Sequence, residues 1–93
     1  MADELLVGTV VAAAHPPGAR APALLLTVDL GPRGRRDALL PTGSYEPSDL
    51  EGVQVVCRLD DDGTAAVAGA ESHGKGFVLL RPAAEVEPGT LVT

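Results

Sequence analysis

Short apolar runs that alternate from one side to the other, cut at close intervals by Gly or Pro, set the strongest limit on how this chain can fold. In "ALLLTVDLG", Leu24, Leu26, Val28 and Leu30 share one face of an extended chain, and Leu25, Thr27 and Asp29 share the other. "ELLVGTVVAAA" behaves similarly: Leu5, Val7, Thr9 and Val11 lie on one face, Leu6, Gly8 and Val10 on the other. Both of its faces are largely apolar, as in a strand packed on two sides. Gly8 within it predicts a bend or a bulge. "RRDALLP" gives a short third strand ended by Pro41, and "QVVCRL" a fourth; "AAVAG" and "GFVLLRP" add two short pieces.

The segments between these runs are turns. "HPPGARAP" is a loop, Gly31-Pro32 reverses the chain, and Asp62-Gly63 in "DDDGT" is a favoured hairpin pair. Pro47 opens one short helical turn with Ser48 and Asp49 in it and Gly52 just beyond. "EVEPGTLV" closes the chain in an extended form, turning at Pro88-Gly89. Five or six short strands, one helical turn and no long helix make an all-β protein. A small barrel removes sticky strand edges by closing on itself. The periodicity alone leaves open a five-stranded Greek-key barrel, an SH3-like barrel or a small sandwich. At 93 residues the chain forms a single domain, residues 1–93.

Charge narrows the function. Seven basic residues against thirteen acidic ones give a net charge of −6. That field opposes long-range attraction of phosphate polyanions, although a local basic patch is compatible with it. Arg33, Arg35 and Arg36 form such a patch after the Gly-Pro turn, with Arg20 and Arg58 as further candidates for phosphate contacts. The alternative is a solvated hairpin tip in which these arginines pair with Asp29 and Asp37. Tyr45 and Phe77 are the only aromatic residues, which leaves few surfaces for bases to stack on.

Other chemistries are excluded by spacing. "GAESHGKG" fits Gly-x-x-x-x-Gly-Lys, but Gly76 stands where a phosphate-binding loop needs Ser or Thr, and the segment opens a strand rather than a helix. "DDDG" lacks the spaced ligands of a calcium loop, and His15, His73 and Cys57 lack zinc spacing. Cys57 sits in an apolar run and reads as a buried thiol. No catalytic site is recognisable, and no cofactor or metal is expected. With no stretch of 18 apolar residues and an acidic start, "MADELLVG", the expected setting is cytoplasmic, away from the membrane.

An apolar patch offers a second kind of site. Ala21, Pro22 and Leu25 form a surface suited to a dimer contact or an extended peptide, with Tyr45 a further candidate.

The ordered signatures carry a resemblance. They are Val7-Gly8, His15-Pro16, "LTVDLG" at 26–31, "YEPSDLEG" at 45–52, "GAES" at 69–72 and Pro88-Gly89-Thr90. Over roughly residues 5–93 the chain resembles the tRNA-binding domain family, and "PGARAPALLLTVDLG" looks most like its CsaA-type, chaperone-like branch. The resemblance implies an OB-fold, a five-stranded Greek-key barrel with one short helical turn, often dimeric. It also implies binding to the outer corner of tRNA or, in the CsaA branch, to unfolded or exported polypeptide, without enzymatic activity.

Residue by residue, Arg20 falls where that branch has an arginine, and Ser72 and Gly74 match the family's serine and glycine. Ala21 replaces a usual lysine, Leu25 a common polar residue, and Lys75 the usual methionine. "LDDDGT" is acidic where relatives are basic. Two readings follow. One is an RNA-binding module with a weakened basic surface, using Arg20, Arg33, Arg35, Arg36, Arg58, Ser72 and Lys75. The other is a protein-binding, chaperone-like or oligomerisation module without nucleic-acid affinity.

Overall fold

The computed structural model describes residues 4–18, 22–42 and 44–93. Seven strands form: β1 (Glu4–Ala14), β2 (Leu24–Asp29), β3 (Arg35–Leu40), β4 (Gln54–Leu59), β5 (Ala65–Val67), β6 (Gly69–Ser72) and β7 (Gly76–Leu79). A 3₁₀ turn, Gly31–Arg33, joins β2 to β3, and a helical turn α1, Pro47–Leu50, precedes β4.

The first five strands close into a barrel in the order β1-β2-β3-β5-β4. Every pairing is antiparallel except β3 with β5, which is parallel. This is the five-stranded Greek-key arrangement of an OB-fold. Closure depends on the length of β1. Glu4 to Thr9 pair with β4, and Thr9 to Ala14 pair with β2, so one strand serves two neighbours. Its register slips between Val10 and Ala12, a bulge that bends the strand around the barrel. The bulge therefore lies beyond Gly8. Gly8 serves a close approach instead: a Cβ there would meet Leu30 Cδ2 at 2.9 Å.

The alternating pattern is realised as written. Leu24, Leu26, Val28 and Leu30 are fully buried, as are Leu40, Val55 and Cys57. Their burial supplies the main driving force for closure, about 1.5–3 kcal/mol per large aliphatic side chain. Burial also pushes the Cys57 thiol up to about 11.

Turn α1 seals the barrel with Leu50 and is tied to β1. Gly52 N–H donates to the Val10 carbonyl at 2.7 Å and Val10 N–H to the Val53 carbonyl at 2.9 Å. The β6–β7 hairpin projects from the barrel with every residue of β6 exposed. Its base is fixed to β4 and the chain after β5 by Val56 N–H to Leu80 O, Ala68 N–H to Val56 O and Leu80 N–H to Ala68 O.

The C-terminal tail lies along the open edge of β1. Gly89 N–H donates to Val7 O at 2.7 Å, Val7 N–H to Thr90 O at 2.8 Å and Val92 N–H to Leu5 O at 2.9 Å. The Gln54 side-chain amide fastens the tail further up, bonding both backbone groups of Val86. Gly31 has φ +63 and lies against the Pro88 carbonyl, where a Cβ would collide.

Candidate nucleic-acid and partner interface

The arginines that follow the Gly-Pro turn do not form one patch. The 3₁₀ turn sends Arg33 back across the barrel end to Glu4, 29 positions earlier in the chain, where it makes a two-pronged bond with the carboxylate. The second prong, Nη2 to Oε2, is 2.8 Å. The hydrogen-bonded guanidinium holds the Glu4 carboxyl below the usual carboxylate range, and the carboxylate holds the Arg33 proton more firmly in turn. Asp29 and Asp37 are engaged elsewhere. Asp29 accepts the Gly31 N–H at 2.9 Å and Asp37 accepts the Thr27 hydroxyl at 3.2 Å.

Arg35 and Arg36 begin β3 and stand in no ion pair among the described residues. Strand alternation separates them. Arg35 is exposed, whereas Arg36 is half-buried, with its Nε hidden from solvent and without a hydrogen-bond partner. Arg36 lines an open cleft of about 510 Å³ at the barrel end together with Arg33, Glu4, Leu59, Asp60 and Asp61. Three carboxylates thus share this cleft with two guanidiniums, which offsets the positive potential a phosphate would meet. Arg58 extends from β4 to Asp60, Nε to Oδ1 at 3.4 Å. Asp62 is occupied locally: it accepts the Thr64 N–H at 2.9 Å, and that bond lowers its pKa.

Ser72 and Lys75 sit together at the tip of the β6–β7 hairpin. The Ser72 carbonyl accepts from both Gly74 N–H and Lys75 N–H, at 3.1 and 3.3 Å, in a tight reversal completed by Gly76 at φ +72. The segment leads into strand β7 rather than a helix, so it offers no phosphate cradle of the nucleotide-binding kind. Ser72 and His73 flank a shallow pocket with Glu71. Arg20 and Ala21 lie outside the described residues. Among the described residues, no group of three or more His, Cys, Asp or Glu is placed to hold a metal ion, and no helix is long and apolar enough to cross a membrane.

Pro22 is exposed just before β2, and Leu25 points outward with 36% of its surface accessible. The register extends that apolar surface. Ala14 pairs with Leu25, Leu25 with Leu39, and Leu39 with Ala66, a row of four apolar side chains across β1, β2, β3 and β5. Leu39, which the sequence pattern did not single out, is more exposed than Leu25, at 53%.

Tyr45 does not join this row. Its hydroxyl accepts the Leu79 N–H at 3.2 Å, and its ring walls a separate cleft of about 340 Å³ with Asp49, Leu50, Val53, Leu79 and Arg81. Asp49 and Arg81 were missed by the sequence pattern. The first reads as a helix-turn residue and the second as the end of a strand, and only the fold brings them to one cleft.

No protein-family model matches the sequence, and no curated protein matches it. Solved structures do. The chaperone CsaA from Bacillus anthracis superposes with a TM-score of 0.87 at 30% identity, over 98% of this chain and 91% of that one. A CsaA chaperone protein from Picrophilus torridus gives 0.87 at 21% identity, covering 98% and 92%. A protein related to methionyl-tRNA synthetase from Pyrococcus horikoshii gives 0.77 at 20%, covering 98% and 90%. The latter two share the fold, while the first adds sequence identity over nearly the full length of both chains. The barrel order, the position of its helical turn and this identity agree, and the chain belongs to the tRNA-binding domain family, in its CsaA-type form.

Proposed function

We propose that the protein is an RNA-binding OB-fold module, of tRNA type by family, whose affinity for phosphate is weakened. The observation that carries this reading is the pair Arg35 and Arg36, consecutive on one barrel strand and unneutralised by any ion pair among the described residues. Lys75 adds a third such charge at the hairpin tip. Each phosphate met by one of these groups releases counterions and adds a salt-sensitive increment of affinity. Arg33 and Arg58 contribute less, because Glu4 and Asp60 hold them.

Binding of labelled tRNA at low ionic strength, followed by fluorescence anisotropy, tests the reading. Saturable binding that weakens in Arg35→Ala/Arg36→Ala supports it, and no binding at the lowest salt overturns it.

A second reading, binding of unfolded polypeptide, is favoured by the apolar row of Ala14, Leu25, Leu39 and Ala66. Two of the similar structures are those of chaperones, which agrees with it. Suppression of aggregation of a denatured client protein, lost in Leu25→Ser/Leu39→Ser, tests this alternative.

A further inference from the structure

The cleft beside α1 combines features that the RNA-binding reading does not use. Its floor is apolar: Leu50 and Leu79 are almost fully buried, and Val53 packs against the core. Tyr45 forms one wall, and its hydroxyl is held by the Leu79 N–H. Two exposed groups of opposite charge, Asp49 and Arg81, border the opening, and neither stands in an ion pair among the described residues. A second open cleft of about 300 Å³ adjoins it past Gln54, sharing Val53 and Arg81. The first cleft is large enough for a small planar ligand. Phe77, the only other aromatic side chain, lies over Gly69 and packs against the core.

This set of groups matches one nucleotide rather than a duplex. Unpaired bases bind by stacking on aromatic and apolar surfaces and by hydrogen bonds at their Watson–Crick edge. A single carboxylate can accept from N1–H and N2–H of guanine together. Adenine, cytosine and uracil present one donor group each at that edge, flanked by acceptors that a carboxylate repels. A guanidinium beside the same cleft neutralises the adjoining phosphate.

Building on the RNA-binding reading above, we propose that this cleft is a subsite for one unpaired guanine nucleotide. Asp49 accepts from the base edge, Tyr45 and the Leu50–Val53–Leu79 floor hold its ring, and Arg81 meets its phosphate.

The test uses fluorescence anisotropy with labelled oligouridylate carrying one central guanosine, adenosine or inosine, at low salt, with tRNA measured in parallel. A bidentate contact is expected to favour guanosine over uridine roughly tenfold, with inosine, which lacks the N2 amino group, in between. Asp49→Asn abolishes the preference and, by removing a negative charge and its repulsion of the uracil acceptors, raises oligouridylate affinity. Arg81→Ala weakens all oligonucleotides alike and flattens the salt dependence by about 0.7 in log–log slope. Both side chains are exposed, and unchanged thermal melting of the variants separates loss of contact from loss of fold. Equal binding of all oligonucleotides, or a guanosine preference that survives Asp49→Asn, overturns the subsite while the RNA-binding reading stands. Absence of binding to tRNA and to every oligonucleotide removes both.

Discussion

Arg33 grips both carboxylate oxygens of Glu4 across the end of the barrel, with Nη2 2.8 Å from Oε2. The pair joins the turn after β2 to the first residue of β1, and it withdraws one arginine from the basic cluster. Glu4→Gln is therefore expected to strengthen RNA binding at low salt and steepen its log–log salt slope by up to about 0.9, one further phosphate contact. A salt series on the variant checks this, and an unchanged slope would show that Arg33 has no access to the ligand.

The same pair predicts a pH effect of known sign. The Glu4 carboxyl titrates lower in the folded protein than in the unfolded chain. Its contribution to stability is therefore present above the unfolded value and is lost as pH falls through the lowered folded value. Both groups are solvent-exposed, so the effect is small and screened by salt. Carboxyl-detected NMR titration should place Glu4 below an ordinary glutamate, and Arg33→Ala should return it to the ordinary range.

Cys57 gives the opposite sign. Its folded pKa of about 11 exceeds its unfolded one, so the folded state keeps a proton that the unfolded chain releases. Stability should decline as pH rises from the unfolded thiol's ordinary value and level off near pH 11. At pH 8, reaction with a thiol reagent should follow the rate or extent of opening, and addition of urea should accelerate it steeply.

Neighbours on β2 should respond in opposite ways. Leu26 is fully buried and Leu25 is 36% exposed. Leu26→Ala is expected to cost about 2–5 kcal/mol in urea unfolding, and Leu25→Ala in the monomer less than about 1. Equal effects would contradict the register of this strand.

A homodimer contact through the apolar row is also open to test. Leu25→Glu/Leu39→Glu places like charges where two copies would meet. It should shift the protein to monomer in light scattering coupled to size exclusion and abolish any concentration dependence of its melting temperature. A wild-type monomer at all concentrations would remove the dimer.

Strands β1, β2 and β4 were legible because each carries enough alternating residues for one face to be consistently apolar, whereas β3, with Arg36 on its inward face, was marked by the Gly-Pro turn before it and Pro41 after it. Pro47 and the Asp62-Gly63 pair marked their turns for local steric reasons, and the chain folds accordingly at α1 and between β4 and β5. Strand β6 was not legible. Gly69 to Ser72 contains no apolar alternation, and its pairing with β7 depends on the hairpin turn and the attachment at Leu80 and Ala68. Gly8 reads as a bend or a bulge because nothing local reveals that Leu30 lies against it.

The candidate site was legible in composition but not in arrangement. Three arginines in four positions suggested one patch, with Asp29 and Asp37 as the nearest available partners. Barrel closure instead brings Glu4 to Arg33, and strand alternation turns Arg36 inward while Arg35 stays exposed. Asp49 and Arg81 belong to separate motifs and share a cleft only because the fold brings α1 and the chain at the end of β7 to its two sides. Such contacts connect positions about thirty apart and leave no mark in a local pattern.

The salt dependence of tRNA binding tests the central claim most directly. With Arg35, Arg36, Lys75 and Arg81 as the cations outside any ion pair among the described residues, log Kobs against log salt should be linear with a slope of about −3 to −4. Arg35→Ala/Arg36→Ala should remove about two of those units. Failure to bind tRNA at the lowest salt, or a slope untouched by that double substitution, would contradict an RNA-binding role for this barrel.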